Sequence, residues 1–308
     1  MKLIRGISQL QPENKGCVAT LGNFDGLHQG HQAIIEQLLE RSRALGVPSV
    51  VVLFEPQPRE YFTPAEAPPR LMVLRDKIGV LRDLGVDRVL AVRFNAGFCS
   101  LSAEQFCQAV LIDGLGVKHL VVGDDFRFGH DRCGDFSFLK AAGKEAQFSV
   151  ENTHTVQYQG ERVSSSRVRD ALAQNKFELT EQLLGRPYYI TGRVVHGDKI
   201  GRTMGIPTAN ILLNRVKSPL TGVFAVSVVT DAGTRYGVAN IGDRPTVSGV
   251  QSRLEVHLLD FKGDLYGQRL SVRFHHKLRQ EQKFNGLEAL KAQIAQDIHA
   301  AKHFFHLI

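Results

Sequence analysis

"GCVATLGNFDGLHQGHQAIIEQLLERSRALG", residues 16–46, decides the fold. It begins with the apolar run GCVATLGNF, which reads as a strand. It ends with HQAIIEQLLERSRALG, which carries a helical period and stops on Gly46. Between the two, glycines and an aspartate make a turn, and His28 and His31 stand where the helix begins. The strand-like PSVVVLFEP follows at once, and the alternation recurs as RDKIGVLRDLGV then DRVLAVRF, and AEQFCQAVLIDGLGV then KHLVVGDDF. Strands of four or five continuous apolar residues between helical stretches predict a parallel sheet covered on both faces. That is the doubly wound α/β class.

The texture changes after Leu184. GRPYYITGRVVHG, GVFAVSVVTDAG, TRYGVANIG, RLEVHLLDFKGDLYG and QRLSVRFHHK are strand-like and separated by glycine turns, with no helical period among them. They predict an antiparallel barrel or sandwich. The tail FNGLEALKAQIAQDIHAAKHFF places Leu287, Leu290, Ile294 and Ile298 at helical spacing, as in a closing helix packed on the barrel. The boundary is expected at Gly185-Arg186-Pro187, giving domains 1–185 and 186–308. The two halves show no mutual repeat.

With 308 residues, 43% hydrophobic and 22% charged, the chain has the composition of an ordinary globular protein with room for two domains. Cys17, Cys99, Cys107 and Cys133 lie far apart and form no C-x-x-C pair, so they read as plain thiols rather than zinc or redox sites. MKLIRGISQL lacks the apolar run of a signal peptide, and no stretch approaches a membrane span, which points to the cytoplasm. The net charge of +7 suits an anionic partner, either nucleic acid or a nucleotide polyphosphate. The basic residues are scattered, without an arginine-rich run, which favours small anions.

In a doubly wound fold, ligands gather beyond the carboxyl ends of the strands, and G-N-F-D-G-L-H-Q-G-H lies there. Gly22 and Gly26 allow backbone N–H groups to approach an anion. The helix start adds its dipole and unpaired donors. His28 and His31 share a face of the first turn and can aim imidazole N–H groups at a phosphate. A metal pair or plain surface polarity remain alternatives, and G-x-x-x-x-G-K-[ST] is absent from this turn. Downstream, ERVSSSRVRDAL sets Ser164, Ser165 and Ser166 before a helical pattern with Arg169, which reads either as capping or as a second phosphate clamp. In the second half, Thr208 and Asn210 of GRTMGIPTANI alternate with Pro207 and Ala209. On an extended segment they face one side, where two oxygens suit a magnesium ion shared with ATP phosphates, while loop roles are the alternative. In RLEVHLLDF, Glu255 and His257 share one face. A glutamate among β-formers is either exposed or positioned to take a hydroxyl proton during phosphoryl transfer.

GNFDGLHQGH resembles the H-x-G-H signature of the nucleotidylyltransferases, and VSSSRVR resembles their I-S-S-T-x-x-R segment, with Val163 for isoleucine and Ser166 for threonine. Together with FEPQP, where other members often carry histidine at Gln57, VGDDFRFG, PTAN, NIGDRPTV, LEVHLLDF and LRQEQKF, the resemblance covers nearly the whole chain. It is to the bacterial bifunctional riboflavin kinase/FMN adenylyltransferase (FAD synthetase) family. The resemblance implies a nucleotidylyltransferase domain followed by a Greek-key β-barrel with a C-terminal helix. It implies that Gly22, Phe24, Gly26, His28, His31, Ser164, Ser165, Ser166 and Arg169 serve ATP in FMN adenylylation, and that Asp125, where some members have asparagine, holds FMN. It further implies that Thr208 and Asn210 serve Mg-ATP, that Glu255 is the catalytic carboxylate of the kinase, and that Arg279 and Glu281 lie by the flavin. The implied small molecules are riboflavin, FMN, FAD and ATP with Mg²⁺, and no nucleic acid or membrane. A nucleic-acid-binding barrel would require basic residues interleaved with stacking aromatics, and no such array is visible. A nucleotidylyltransferase with a merely binding barrel would leave PTAN and Glu255 incidental.

Overall fold

A computed structural model of the chain describes every residue except 198–200, 202, 203, 214, 216, 232, 247 and 248, and only the backbone along 243–246 and 249–251. Among the quoted segments, Arg202 and Thr203 of GRTMGIPTANI, Ala232 of GVFAVSVVTDAG and Val247 of NIGDRPTV therefore lie outside the described residues. The chain forms two compact units, Met1–Pro68 with Leu74–Ser164, and Pro69–Val73 with Ser165–Ile308.

The first unit is built on a six-stranded parallel sheet of order β1-β4-β3-β2-β5-β6. Its strands are β1 (Lys2–Arg5), β2 (Cys17–Leu21), β3 (Ser49–Glu55), β4 (Arg88–Arg93), β5 (Val117–Gly123) and β6 (Ser149–Thr153). Its helices are α1 (Gln29–Leu45), α2 (Pro58–Phe62), α3 (Leu74–Asp83), α4 (Ala96–Cys99), α5 (Ala103–Phe106), which runs on into a wider turn over Cys107–Ile112, and α6 (Phe136–Ala146). Continuous apolar runs are central here because β2 is buried from end to end on both faces. Cys17, Ala19 and Leu21 join Val50, Val52, Leu90 and Leu120 in a core that also takes Val110, Leu111 and Leu139. Burial pushes the Cys17 and Cys107 thiols up to about 12, so both behave as core side chains rather than reactive groups. Because β3 and β5 flank β2 on opposite sides, the chain direction across the sheet reverses at β2. The crevice of a doubly wound fold opens at such a reversal, directly above Gly22–His31. The sequence reading had no strand at β1 or β6, nor the small hairpin β7 (Gln157–Tyr158) and β8 (Glu161–Arg162).

The second unit carries α7 (Ser165–Ala173), α8 (Phe177–Leu184) and a closed barrel of β9 (Tyr189–Val195), β10 (Ala209–Leu212), β11 (Gly222–Thr230), β12 (Gly233–Thr246), β13 (Gly249–Leu258) and β14 (Arg269–Arg279). Strands β11, β12 and β13 are consecutive antiparallel neighbours, and β14 returns beside β11, which is the Greek-key arrangement. Phe224 and Phe274 meet edge to face at 5.4 Å, and Phe177 of α8 stands edge-on to Phe224 at 6.0 Å. The segment Pro69–Val73 is held in this unit through its carbonyls. Arg169 Nε donates to Pro69 O at 2.7 Å, Arg215 to Arg70 O at 3.1 Å and Tyr188 Oη to Leu71 O at 3.3 Å.

The C-terminal helix α9 (Leu287–Phe304) covers Val223, Ala225 and Val238 on the outside of the barrel with Ala301 and Ile298. Its first expected contact, Leu287, is exposed. A charge occupies the stripe further along: Asp297 is buried because Arg279 donates to both its oxygens at 2.8 Å.

Candidate active sites

Beyond Leu21 the backbone turns through left-handed conformations at Phe24, Gly26 and Leu27, with φ of 45°, 83° and 43°. This sharp path lets α1 start at the carboxyl end of the central strand. The Phe24 side chain is buried, with its ring 5.0 Å from that of His31, so only its backbone is available to a ligand. His28 caps α1: its Nδ1 accepts from the His31 backbone N–H at 3.3 Å. An accepting Nδ1 places the proton of the neutral ring on Nε2. The two imidazoles stack at 3.7 Å with an angle of 18°. Gly30 explains the spacing of the motif. A Cβ there would lie 3.2 Å from the His28 ring and 3.3 Å from the carbonyl oxygen of Val163. Glycine thus lets the ring lie over the helix start while the chain leading to Ser164 closes on it.

The first turn of α1 carries no acidic residue, which suits an anion at the helix dipole, while buried Asp25 stands in the turn before it. Lys77, buried on α3, donates to the carbonyl of Asn23 at 2.8 Å and ties the turn from below. Asp125 lies just past β5, at the same end of the sheet. Arg162 bridges it and Asp124 at 3.0 and 3.1 Å. Tyr61 and Phe62, both exposed, pack edge-on around Phe94 near the ends of β3 and β4. Ser165 and Ser166 open α7 and Arg169 lies one turn on, all in the second unit, whereas Ser164 closes the first.

On the barrel, Asn210 pairs with Glu255, Glu255 with Asn240, and Asn240 with Val223. Directly opposed residues in antiparallel strands point to the same face, so these side chains form one row. Val223 belongs to the outer cluster under α9, and the row therefore runs over the outside of the barrel. Glu255 and Asn210 are half-buried. His257 Nδ1 lies 2.8 Å from the Pro207 carbonyl, the geometry of an N–H donating to it, and fixes the residue that precedes Thr208. The guanidinium of Arg279 is engaged by Asp297 and lies 5.6 Å from the Phe284 ring centroid. Glu281 accepts from Asn240 Nδ2 at 3.2 Å. Its carboxylate fills the space over Gly242 that any Cβ would occupy. Among the described residues no group of three or more His, Cys, Asp or Glu could hold a metal ion.

The family model for FAD synthetase matches residues 10–167, and that for riboflavin kinase matches residues 184–305. The bifunctional riboflavin kinase/FMN adenylyltransferase of Pseudomonas fluorescens is 58% identical over 98% of this chain and 97% of its own length. The chain belongs to the bifunctional riboflavin kinase/FMN adenylyltransferase family. The member from Escherichia coli K12 is 52% identical over 100% of this chain and 99% of its own length. That from Haemophilus influenzae is 47% identical over 99% and 100%. Among solved structures, a macrolide-efflux protein from Streptococcus pneumoniae is similar at a TM-score of 0.79 and 29% identity, covering 98% of this chain and 99% of that chain. Among the described residues here, no helix is long and apolar enough to cross a membrane.

Lys77 had no place among the sequence expectations, and Gly30 and Asn240 stood only as letters of H-x-G-H and NIGDRPTV, with no role of their own. A signal existed for the first: Lys77 falls on the helical stripe of Leu74 and Leu81, where a cation must find a partner when buried. Asn240 carried none, because its partners come from β13 and from the segment after β14.

Proposed function

We propose that residues 186–308 phosphorylate the ribityl 5′-hydroxyl of riboflavin with Mg-ATP, giving FMN and ADP. Residues 1–185 then join FMN to AMP from a second ATP, giving FAD and pyrophosphate. One observation supports the division of labour: the FAD synthetase match over residues 10–167 holds His28 and His31, and the riboflavin kinase match over residues 184–305 holds Thr208, Asn210 and Glu255. In the kinase step the Glu255 carboxylate accepts the 5′-hydroxyl proton as that oxygen attacks the γ-phosphorus of ATP and ADP leaves. The Thr208 hydroxyl and the Asn210 amide oxygen are hard donors of the kind magnesium takes alongside phosphate oxygens. Magnesium bound there with ATP would neutralise charge on the β- and γ-phosphates. Arg279 and Glu281 border the flavin side.

In the adenylylation step a phosphate oxygen of FMN attacks the α-phosphorus and pyrophosphate departs. Donors at the start of α1 and the imidazoles of His28 and His31 stabilise the charge that redistributes over the phosphates. The family motifs assign Gly22, Phe24 and Gly26, through their backbone, to ATP, and they assign Ser164, Ser165, Ser166 and Arg169 to phosphate binding. Asp125 holds FMN, and Tyr61 and Phe62 offer flat apolar faces suited to a fused ring. The enzyme works in the cytoplasm.

A fragment of residues 186–308 tests the division. It is expected to convert riboflavin to FMN and to form no FAD. It lacks Phe177 against Phe224, so it should melt below a fragment of residues 165–308, which keeps that contact. A folded 165–308 fragment without kinase activity would refute the assignment.

His257→Ala removes the donor to the Pro207 carbonyl. One neutral hydrogen bond is worth about 1 kcal/mol, so KM for Mg-ATP in the kinase step should rise about fivefold, with FMN adenylylation unchanged. Unaltered KM would mean that Thr208 is placed without it.

A further inference from the structure

We infer that Asn240 reads the ribityl chain, accepting a hydrogen bond from the 4′-hydroxyl, next to the one phosphorylated; this rests on the kinase reading above. Asn240 stands directly opposite Glu255 across β12 and β13, which places the two Cβ atoms about 4.5–5.5 Å apart. Its amide is oriented by chemistry rather than by choice. The neighbour on one side is the Glu281 carboxylate at 3.2 Å, an acceptor only, so the NH₂ must face it. Gly242 makes this possible, since Glu281 occupies the volume of the missing Cβ. Oδ1 therefore points away from Glu281, and among the described residues this buried oxygen has no hydrogen-bond partner. A buried acceptor left unmet is unfavourable, and it defines what belongs beside it: a donor.

The rest of the row narrows the donor's identity. The Glu255 carboxylate offers acceptors, and Asn210 lies on the far side of Glu255, two strands from Asn240. Neither supplies what Oδ1 lacks. A substrate whose 5′-oxygen sits at Glu255 carries its next hydroxyl on the adjacent carbon, within the reach of one cross-strand step. Of the other donors of riboflavin, the 3′- and 2′-hydroxyls stand one and two carbons further from the reacting oxygen, and the isoalloxazine N3–H lies at the far end of the ring system. Asn240 is thus a specificity-determining residue for a polyol with vicinal hydroxyls at the reacting end.

The test compares riboflavin with 4′-deoxyriboflavin as kinase substrates for the full-length parent, Asn240→Leu and Asn240→Ala. The parent should prefer riboflavin in kcat/KM by about tenfold, the order of one hydrogen bond to an otherwise unpaired buried group. In both variants that preference should collapse to within about twofold, with the loss falling on riboflavin. The ratio of two substrates on one protein does not depend on the fraction folded, and adenylylation of supplied FMN reports the rest of the chain. A parent that uses both substrates equally overturns the inference. So does a preference that survives in the variants. A parent that phosphorylates neither compound refutes the kinase reading itself, and the inference falls with it.

Discussion

Glu255→Gln is expected to lower riboflavin phosphorylation by about 10²–10⁴-fold, the usual contribution of a general base. The substitution keeps volume and hydrogen-bonding shape but removes the charge and the proton acceptor. Glu255 is half-buried in mid-strand, with Asn210 on one side and Asn240 on the other. The glutamine amide fits the same backbone register, so the barrel should melt near the parent temperature. Flavin affinity should change little, because the amide oxygen still accepts from the 5′-hydroxyl. Supplied FMN should become FAD at the parent rate, since Glu255 lies in the riboflavin kinase stretch 184–305 and outside the FAD synthetase stretch 10–167. Activity within a few-fold of the parent would return Glu255 to ordinary surface. A loss accompanied by a lower melting temperature would make it structural.

His28→Ala and His31→Ala should each lower FMN adenylylation by about 10²–10³-fold, the effect of removing one donor aimed at developing charge. The structure adds a complication for His28, because its Nδ1 also caps α1. Losing a cap costs about 1 kcal/mol of stability, which an alanine variant would mix with the catalytic loss. His28→Asn separates the two, as asparagine is a good N-cap but lacks the imidazole. It should keep the parent melting temperature and still be slow in adenylylation. Riboflavin phosphorylation should be nearly unaffected in all three variants. Equal losses of both activities would mark the pair as structural, and unchanged adenylylation would leave them as polar surface.

The central strands were legible because β2, β3, β4 and β5 bury both faces and read as unbroken apolar runs. The edges were not. In β1 only Ile4 is buried, and β6 is the half-exposed SVENT, so neither writes a strand pattern. The barrel was legible from alternation between glycine turns, and the row Asn210–Glu255–Asn240 followed from Glu255 once β13 was placed. Asn240 escaped because its meaning lies in pairing between strands, which one sequence does not display. The histidine turn was visible as chemistry, whereas the stacking of its rings and the need for glycine at position 30 depend on the path of Val163, more than a hundred residues away. The contact boundary at Ser164–Ser165 falls within one continuous motif. No local composition change marks it, since α7 and α8 share the texture of the helices before them.

The most direct test of the account is to incubate the full chain with riboflavin, ATP and Mg²⁺ and follow flavins and pyrophosphate over time by chromatography. FMN should appear first, and FAD should then rise as FMN falls, with one pyrophosphate released per FAD. Without added Mg²⁺ and in the presence of chelator, FMN formation should cease. Riboflavin left unchanged, or FMN accumulating with no FAD while ATP remains, would contradict it.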